Sequence, residues 1–135
     1  MIVVDANVVA HLTIQGELSR LAEAAFAADS SWASPSLWLS EYRNTLVKYL
    51  QHRDLTMESA LLSLHAAEEA IAGRAYNVSS EQVLALARSS GCSAYDCEYV
   101  ALAQDLGVPL VTTDRQVLRE FPKTAVSLEE FAKKK

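Results

Sequence analysis

Two short apolar runs, each followed closely by an aspartate, constrain the fold of this chain most strongly. Residues 2–4 are Ile-Val-Val and lead into Asp5, while residues 109–112 are Pro-Leu-Val-Thr and lie just before Asp114. Runs of this length are too short for helices and are typical of strands buried on both faces of a parallel sheet. We therefore predict that both runs are central strands.

The remaining segments have the apolar spacing and the boundary residues of helices. The predicted helices cover residues 17–28, Pro35 to residue 50 or 52, residues 57–72, Ser79 or Ser80 to Gly91, and Ser93 to Gly107. Shorter elements are predicted at residues 32–34, at 76–78, as a helical turn from Asp114, at 125–126, and as a last helix from Leu128. Strands that alternate with helices predict an α/β fold, in which a mostly parallel central sheet is flanked by helices on both faces.

Length and composition are those of a compact globule. The chain has 135 residues, of which half are apolar, 4 are Gly and 3 are Pro, so we expect one domain over residues 1–135. Its apolar stretches are short and interrupted by charge, which argues against a membrane span. The opening MIVVDANVVA lacks the basic start of a signal peptide. These features predict a cytoplasmic protein.

The net charge of -5 argues against a protein that binds nucleic acid through a broad basic surface. It is compatible with a nuclease whose acids surround a cation and whose substrate contacts are local. The candidates for such contacts are Arg43, Lys48, Arg115 and Arg119.

The cysteine and histidine residues do not indicate a metal site. Cys92 and Cys97 do not form a four-ligand motif, and we interpret them as packing residues. His11, His52 and His65 lack ligand spacing with one another. The chain also lacks a P-loop and a G-x-G-x-x-G signature.

The acids at the ends of the two predicted strands are the first candidates for a functional site. In an open parallel sheet, the functional crevice lies beyond the carboxyl ends of the strands. Asp5 and Asp114 are therefore expected to project from the same edge. For each of them, a role in a loop or as a helix cap is the alternative interpretation.

Two further acids lie on predicted helices. Asp96 follows Ser93 by three residues, the spacing of a helix cap, yet it also borders the apolar stripe of its helix, whereas Glu98 is expected to face solvent. Glu41 lies in LWLSEYRNTLVKYL among apolar neighbours, where a carboxylate needs a partner. A plain salt bridge is the alternative to a place in the same crevice.

Four carboxylates in one crevice would favour a particular chemistry. They would repel one another and raise their pKa values unless a cation neutralised them. Oxygen ligands alone favour Mg²⁺ or Mn²⁺ over zinc. Metal-assisted hydrolysis of a phosphodiester is the simplest reaction for such a site.

The chain resembles the PIN domain family, and within it the VapC-type toxins of bacterial toxin and antitoxin pairs. The resemblance rests on VVDANVV, LSEYRNTL and SAYDCEYVALAQDLGVPLVTTDR, in this order and placement. It implies a PIN-like three-layer fold and a Mg²⁺- or Mn²⁺-dependent endoribonuclease. It also implies three partners: an RNA substrate, a cognate antitoxin that inserts a segment into or near the active site, and a second copy in a homodimer.

The resemblance also assigns site residues. The family's catalytic acids match Asp5, Glu41, Asp96 and Asp114, of which we take Asp5, Asp96 and Asp114 as metal ligands. Asn7 and Thr112 match hydrogen-bond partners of the acids, although Asn7 is equally well explained as a helix cap and Thr112 as an ordinary strand residue. Arg43 and Arg115 are our candidates for contacting the substrate.

Two alternative functions use the same fold. One is a non-catalytic PIN-fold module for protein association, which the presence of all four acids disfavours. The other is cleavage of DNA flaps or single strands, which the acids do not distinguish from RNA cleavage. The predicted helices at residues 17–28 and 57–72 match no motif and leave the choice of substrate open.

Overall fold

The computed structural model describes residues 1–133, and within them five strands form one parallel sheet. The spatial order is β3-β2-β1-β4-β5, and every neighbouring pair is parallel. The strands are β1 (Ile2–Val4), β2 (Trp32–Pro35), β3 (Ala75–Tyr76), β4 (Leu110–Thr112) and β5 (Ala125–Ser127). The two apolar runs singled out in the sequence are thus the adjacent central strands β1 and β4.

Eight helices connect or follow these strands within the described residues. They are α1 (Ala6–Thr13), α2 (Ser19–Ala28), α3 (Trp38–Gln51), α4 (Met57–Ile71), α5 (Ser80–Ser90), α6 (Ala94–Leu106), α7 (Arg115–Glu120) and α8 (Leu128–Lys133). Ser79 and Ser93 cap α5 and α6 as predicted, and each accepts a backbone N–H of the first turn. Gly91 and Gly107 end these helices with φ angles of 77° and 67°, which favour glycine.

The helices cover both faces of the sheet, which confirms the predicted α/β class. Side chains alternate along β1, so that Ile2 and Val4 join the core under α1 to α4 and α8, while Val3 joins the core under α5 to α7. All three are almost completely buried. No helix within residues 1–133 is long and apolar enough to span a membrane.

The prediction for Pro35 was wrong. It was expected to begin a helix, but it is the buried last residue of β2, paired with Tyr76 of β3, and α3 begins at Trp38. A proline is tolerated at a strand end, where its missing N–H removes little from the ladder. The next residue, Ser36, donates its N–H to the Tyr76 carbonyl and completes the pairing.

Candidate active site

A cavity of about 390 Å³ opens at the carboxyl edge of the sheet. All four acids singled out in the sequence line it, and each comes from a different part of the fold: Asp5 after β1, Glu41 on α3, Asp96 on α6 and Asp114 after β4. The fold thus brings together residues as far apart in the chain as Asp5 and Asp114. This arrangement follows from the parallel pairing of β1 with β4, which directs both strand ends to one edge.

Asp5 both caps a helix and lines the cavity. One carboxylate oxygen, Oδ1, accepts the Val8 N–H at 2.9 Å and so caps α1. The other, Oδ2, accepts a short hydrogen bond from the Thr112 hydroxyl. The capping interpretation and the functional one therefore describe the same side chain, since each uses a different oxygen.

Asp114 is held in a similar way at the start of α7. Its Oδ1 accepts the N–H groups of Gln116 and Val117 at 2.9 and 3.0 Å. Its own N–H donates to the Thr112 hydroxyl oxygen at 3.0 Å. Thr112 is only 1% exposed. Its hydroxyl group bonds both Asp5 and Asp114 and so links the two acids. Its role in function stays a prediction.

Asp96 lies in the first turn of α6. Ser93, and not Asp96, is the N-cap, because its hydroxyl accepts the Asp96 N–H at 3.0 Å. The Ser93 hydroxyl and backbone N–H interact in turn with the Asp96 carboxylate and lower its pKa, as in a capping box. The Asp96 side chain is half-buried in the cavity wall.

Glu41 has an uncharged partner that the sequence analysis missed. The hydroxyl of Tyr99 on α6 donates to Glu41 Oε1 at 2.5 Å, and no ion pair to Glu41 is present within residues 1–133. Tyr99 is 4% exposed, and its position on an apolar stripe suggested a packing role only. The available signal was chemical: a buried tyrosine hydroxyl needs a hydrogen-bond partner.

Burial and neighbouring negative charge raise the pKa values of Asp5 and Asp96. The pKa of Asp5 rises to about 6, mainly through burial and further through the charges of Asp114 and Glu41, while bonds from Thr112 and Val8 oppose the shift. Burial, and then the charge of Asp114, raises the pKa of Asp96.

The expectation that Glu98 faces solvent was only partly right. The side chain is half-buried. Burial, followed by the nearby charge of Glu41, raises its pKa. Negative charge around Glu41 is therefore more concentrated than the helical spacing of α6 suggested.

The donor atoms of the cavity fit a hard divalent cation. They are carboxylate and hydroxyl oxygens, the ligands that Mg²⁺ and Mn²⁺ prefer, and a cation would offset the burial and the repulsion that raise the pKa of Asp5. In the described part of the chain, however, no three His, Cys, Asp or Glu side chains form a ready-made metal-binding group. Direct ligation by several of the acids therefore requires their side chains to move closer together.

The polar residues around the acids differ in part from those proposed from sequence. Asn7 is exposed, lines the cavity and does not cap α1, because Asp5 does. Arg43 and Arg115 are exposed and lie outside the cavity wall. Of the four basic residues proposed for substrate contacts, Lys48 lies in the wall, two turns along α3 from Glu41 and on the same helical face.

Tyr95 is a second aromatic residue that sequence reasoning missed. It precedes Asp96 on α6, lines the cavity and is 61% exposed. Its position in the first turn, next to the acid, was the available signal.

Comparisons with known proteins agree with this fold. Residues 2–124, which include all four acids, match the PIN domain family. Ribonuclease VapC3 from Pyrobaculum aerophilum is 33% identical to this chain in an alignment of 124 residues. The alignment covers 90% of this chain and 95% of that protein. The crystal structure of PAE2754 from the same organism has the same fold, with a TM-score of 0.73 and 23% identity over 98% of this chain and 94% of that one.

Proposed function

Because the chain belongs to the PIN domain family, we propose that it is a metal-dependent endoribonuclease that hydrolyses RNA phosphodiester bonds. The observation that carries this proposal is the shared cavity of Asp5, Glu41, Asp96 and Asp114 at the carboxyl edge of the sheet. The similarity to a protein named as a ribonuclease supports RNA as the substrate.

In this proposal Asp5, Asp96 and Asp114 hold Mg²⁺ or Mn²⁺. When bound, the ion neutralises the carboxylates, lowers the pKa of a bound water and stabilises charge on the phosphate. Thr112 and the first turn of α7 orient Asp5 and Asp114 through the hydrogen bonds described above. Glu41 directs its carboxylate into the same cavity, where it can accept a proton from the attacking water.

Lys48 and Tyr95 are the proposed contacts for the substrate nearest to the acids. Lys48 offers a positive charge to a phosphate, and the exposed ring of Tyr95 offers a face on which a base can stack. Stacking requires an unpaired base, so this arrangement favours single-stranded RNA. Arg43 and Arg115, outside the cavity, would contact phosphates further along the strand.

We also propose that the protein is the toxin of a toxin and antitoxin pair and forms a homodimer. The similarity to Ribonuclease VapC3 supports the first part. For the second part, α4 carries apolar side chains on its outer surface: Met57, Leu61 and Leu62 are 62%, 47% and 65% exposed. Exposed apolar side chains that lie together mark interaction surfaces.

The test is cleavage of single-stranded RNA by wild type and Asp96→Asn, with Mg²⁺ and with EDTA. We expect cleavage only by wild type with Mg²⁺, because the other conditions remove the ion or a ligand. Asp105→Asn, an exposed change on the same helix, is the matched control and should cleave normally. Full cleavage by Asp96→Asn would contradict its assigned role.

Two further measurements distinguish the alternative functions. Single-stranded DNA of the same sequence tests whether the acids act on DNA instead. Calorimetry with Mn²⁺ tests the ion itself, and a wild type that neither binds Mn²⁺ nor cleaves RNA would support a non-catalytic interaction module.

A further inference from the structure

The contact between Tyr99 and Glu41 joins two elements that are distant along the chain. The residues are 58 positions apart, on α6 and α3, and the hydroxyl donates to Glu41 Oε1 at 2.5 Å. The backbone N–H of Ala6, in the first turn of α1, interacts with the same hydroxyl. One buried hydroxyl therefore links Glu41 to the residue that directly follows Asp5.

The surroundings of Glu41 leave its carboxylate dependent on this link. Glu41 is half-buried, its partner Tyr99 is nearly inaccessible, and Glu98 and Asp5 both add negative charge nearby. Repulsion from these charges favours rotation of the Glu41 side chain away from Asp5. Within residues 1–133, Lys48 lines the same cavity but forms no ion pair that would hold Glu41 there.

We propose that Tyr99 is a positioning residue that holds the Glu41 carboxylate in the cavity, facing Asp5, against the repulsion of the neighbouring acids. This inference rests on the nuclease function proposed above. Tyr99 acts through Glu41, the proposed proton acceptor, so its hydroxyl should affect the cleavage step more than the binding of the ion or of RNA.

The chain offers a matched control in Tyr42. This tyrosine is also fully buried, and its hydroxyl also bonds one side chain, Thr13 Oγ1 at 2.7 Å, but it does not line the cavity. Tyr99→Phe and Tyr42→Phe each remove one buried, hydrogen-bonded hydroxyl. Comparison of their thermal unfolding separates a general loss of stability from loss of Glu41 positioning.

The first measurements are Mn²⁺ affinity by calorimetry and steady-state cleavage of RNA. We expect Tyr99→Phe to lower kcat about 10- to 100-fold, because the proposed proton acceptor is no longer held in place, and to leave Mn²⁺ binding through Asp5, Asp96 and Asp114 within about twofold. The KM for RNA should stay within about twofold, and Tyr42→Phe should match wild type in all three values. Wild-type behaviour of Tyr99→Phe, in a protein that does cleave RNA, would overturn this inference alone.

A double-mutant cycle tests whether Tyr99 acts through Glu41. In the Glu41→Ala background the acceptor is absent, so adding Tyr99→Phe should leave the residual kcat unchanged. A further loss equal to that seen in wild type would show an independent effect and refute the proposal.

A spectroscopic measurement on the wild type avoids any dependence on how the variant folds. With ¹³C-labelled tyrosine, Mg²⁺ should shift the Cζ resonance of Tyr99 and leave that of Tyr42 in place. If the wild type bound Mg²⁺ and the Tyr99 resonance did not move, the proposed link would be refuted. If the wild type neither bound a divalent ion nor cleaved RNA, the nuclease proposal would fail as well.

Discussion

At the scale of single residues, several side chains of the site also belong to the fold. Asp5 caps α1 with one oxygen and accepts the Thr112 hydroxyl with the other, and Asp114 caps α7 while lining the cavity. Because one oxygen of each carboxylate is fixed by backbone N–H groups, the direction of the other is restricted. Folding thus restricts the orientation of Asp5 and Asp114 before any ligand arrives, which is a partial preorganisation of the site.

This dual role has a stability consequence for Asp5→Asn. The folded pKa of Asp5 is about 6 and its ordinary value is 3.8, so the folded protein binds this proton more tightly. The Asp5 contribution to stability is therefore largest below pH 4 and is lost as pH rises to about 6. At pH 7 without divalent ions, we expect Asp5→Asn to unfold with a free energy about 1 to 3 kcal/mol higher than wild type, while RNA cleavage is abolished.

The measurement is urea unfolding in EDTA at several values between pH 4 and pH 7. The difference in stability between Asp5→Asn and wild type should grow with pH, and the exposed control Asp105→Asn should show no such trend. A difference that stays constant over this range would contradict the raised pKa assigned to Asp5.

At the scale of elements, the N-termini of helices place the acids. Ser93 caps α6 and contacts Asp96, whereas Ser79 caps α5, which carries none of the four acids. Each serine accepts one N–H of its own first turn, at 3.0 Å for Ser93 and 3.4 Å for Ser79. Substitution of each serine in turn therefore distinguishes an effect on helix stability from an effect on the orientation of Asp96.

Ser93→Ala and Ser79→Ala should each lower the free energy of unfolding by about 1 kcal/mol, as expected for loss of an N-cap. Only Ser93→Ala should also reduce RNA cleavage, because Asp96 loses the hydroxyl that orients it. Urea unfolding and initial cleavage rates measure the two effects. Equal cleavage by both variants would show that the cap of α6 does not matter to the site.

The face of α3 that lines the cavity carries a second prediction. Lys48 lies on this face with Glu41, so Lys48→Met should remove a phosphate contact and raise the KM for RNA about tenfold with little change in kcat. The slope of log affinity against log salt concentration should also decrease by about one, because one phosphate contact is lost. Lys123→Met, an exposed change outside the cavity, is the control.

At the scale of the whole molecule, the exposed apolar surface of α4 bears on assembly. Leu62 on α4 and Leu84 on α5 are both 65% exposed, but only Leu62 adjoins another exposed apolar residue of its helix, Leu61. We expect the wild type to be a dimer by light scattering, Leu62→Glu to be a monomer, and Leu84→Glu to remain a dimer. A monomeric Leu84→Glu with a dimeric Leu62→Glu would place the interface elsewhere.

The sequence alone determined the features that depend on local physics. A strand of three apolar residues ending at an aspartate, a serine cap and a glycine with positive φ each depend on a few neighbouring residues. Because parallel strands end at one edge, these local features were enough to predict the sheet and the convergence of Asp5 with Asp114. The PIN-like fold was therefore predictable, and the comparisons confirmed it.

The tertiary structure decided the contacts between distant segments. Pro35 joined a strand because β3 pairs with it, and Glu41 found the Tyr99 hydroxyl 58 residues away because α3 and α6 meet at the cavity. It also placed Lys48 in the cavity wall and left Arg43 outside. Local periodicity gives the face of a helix but not its neighbours across the molecule, which depend on how all the layers pack together.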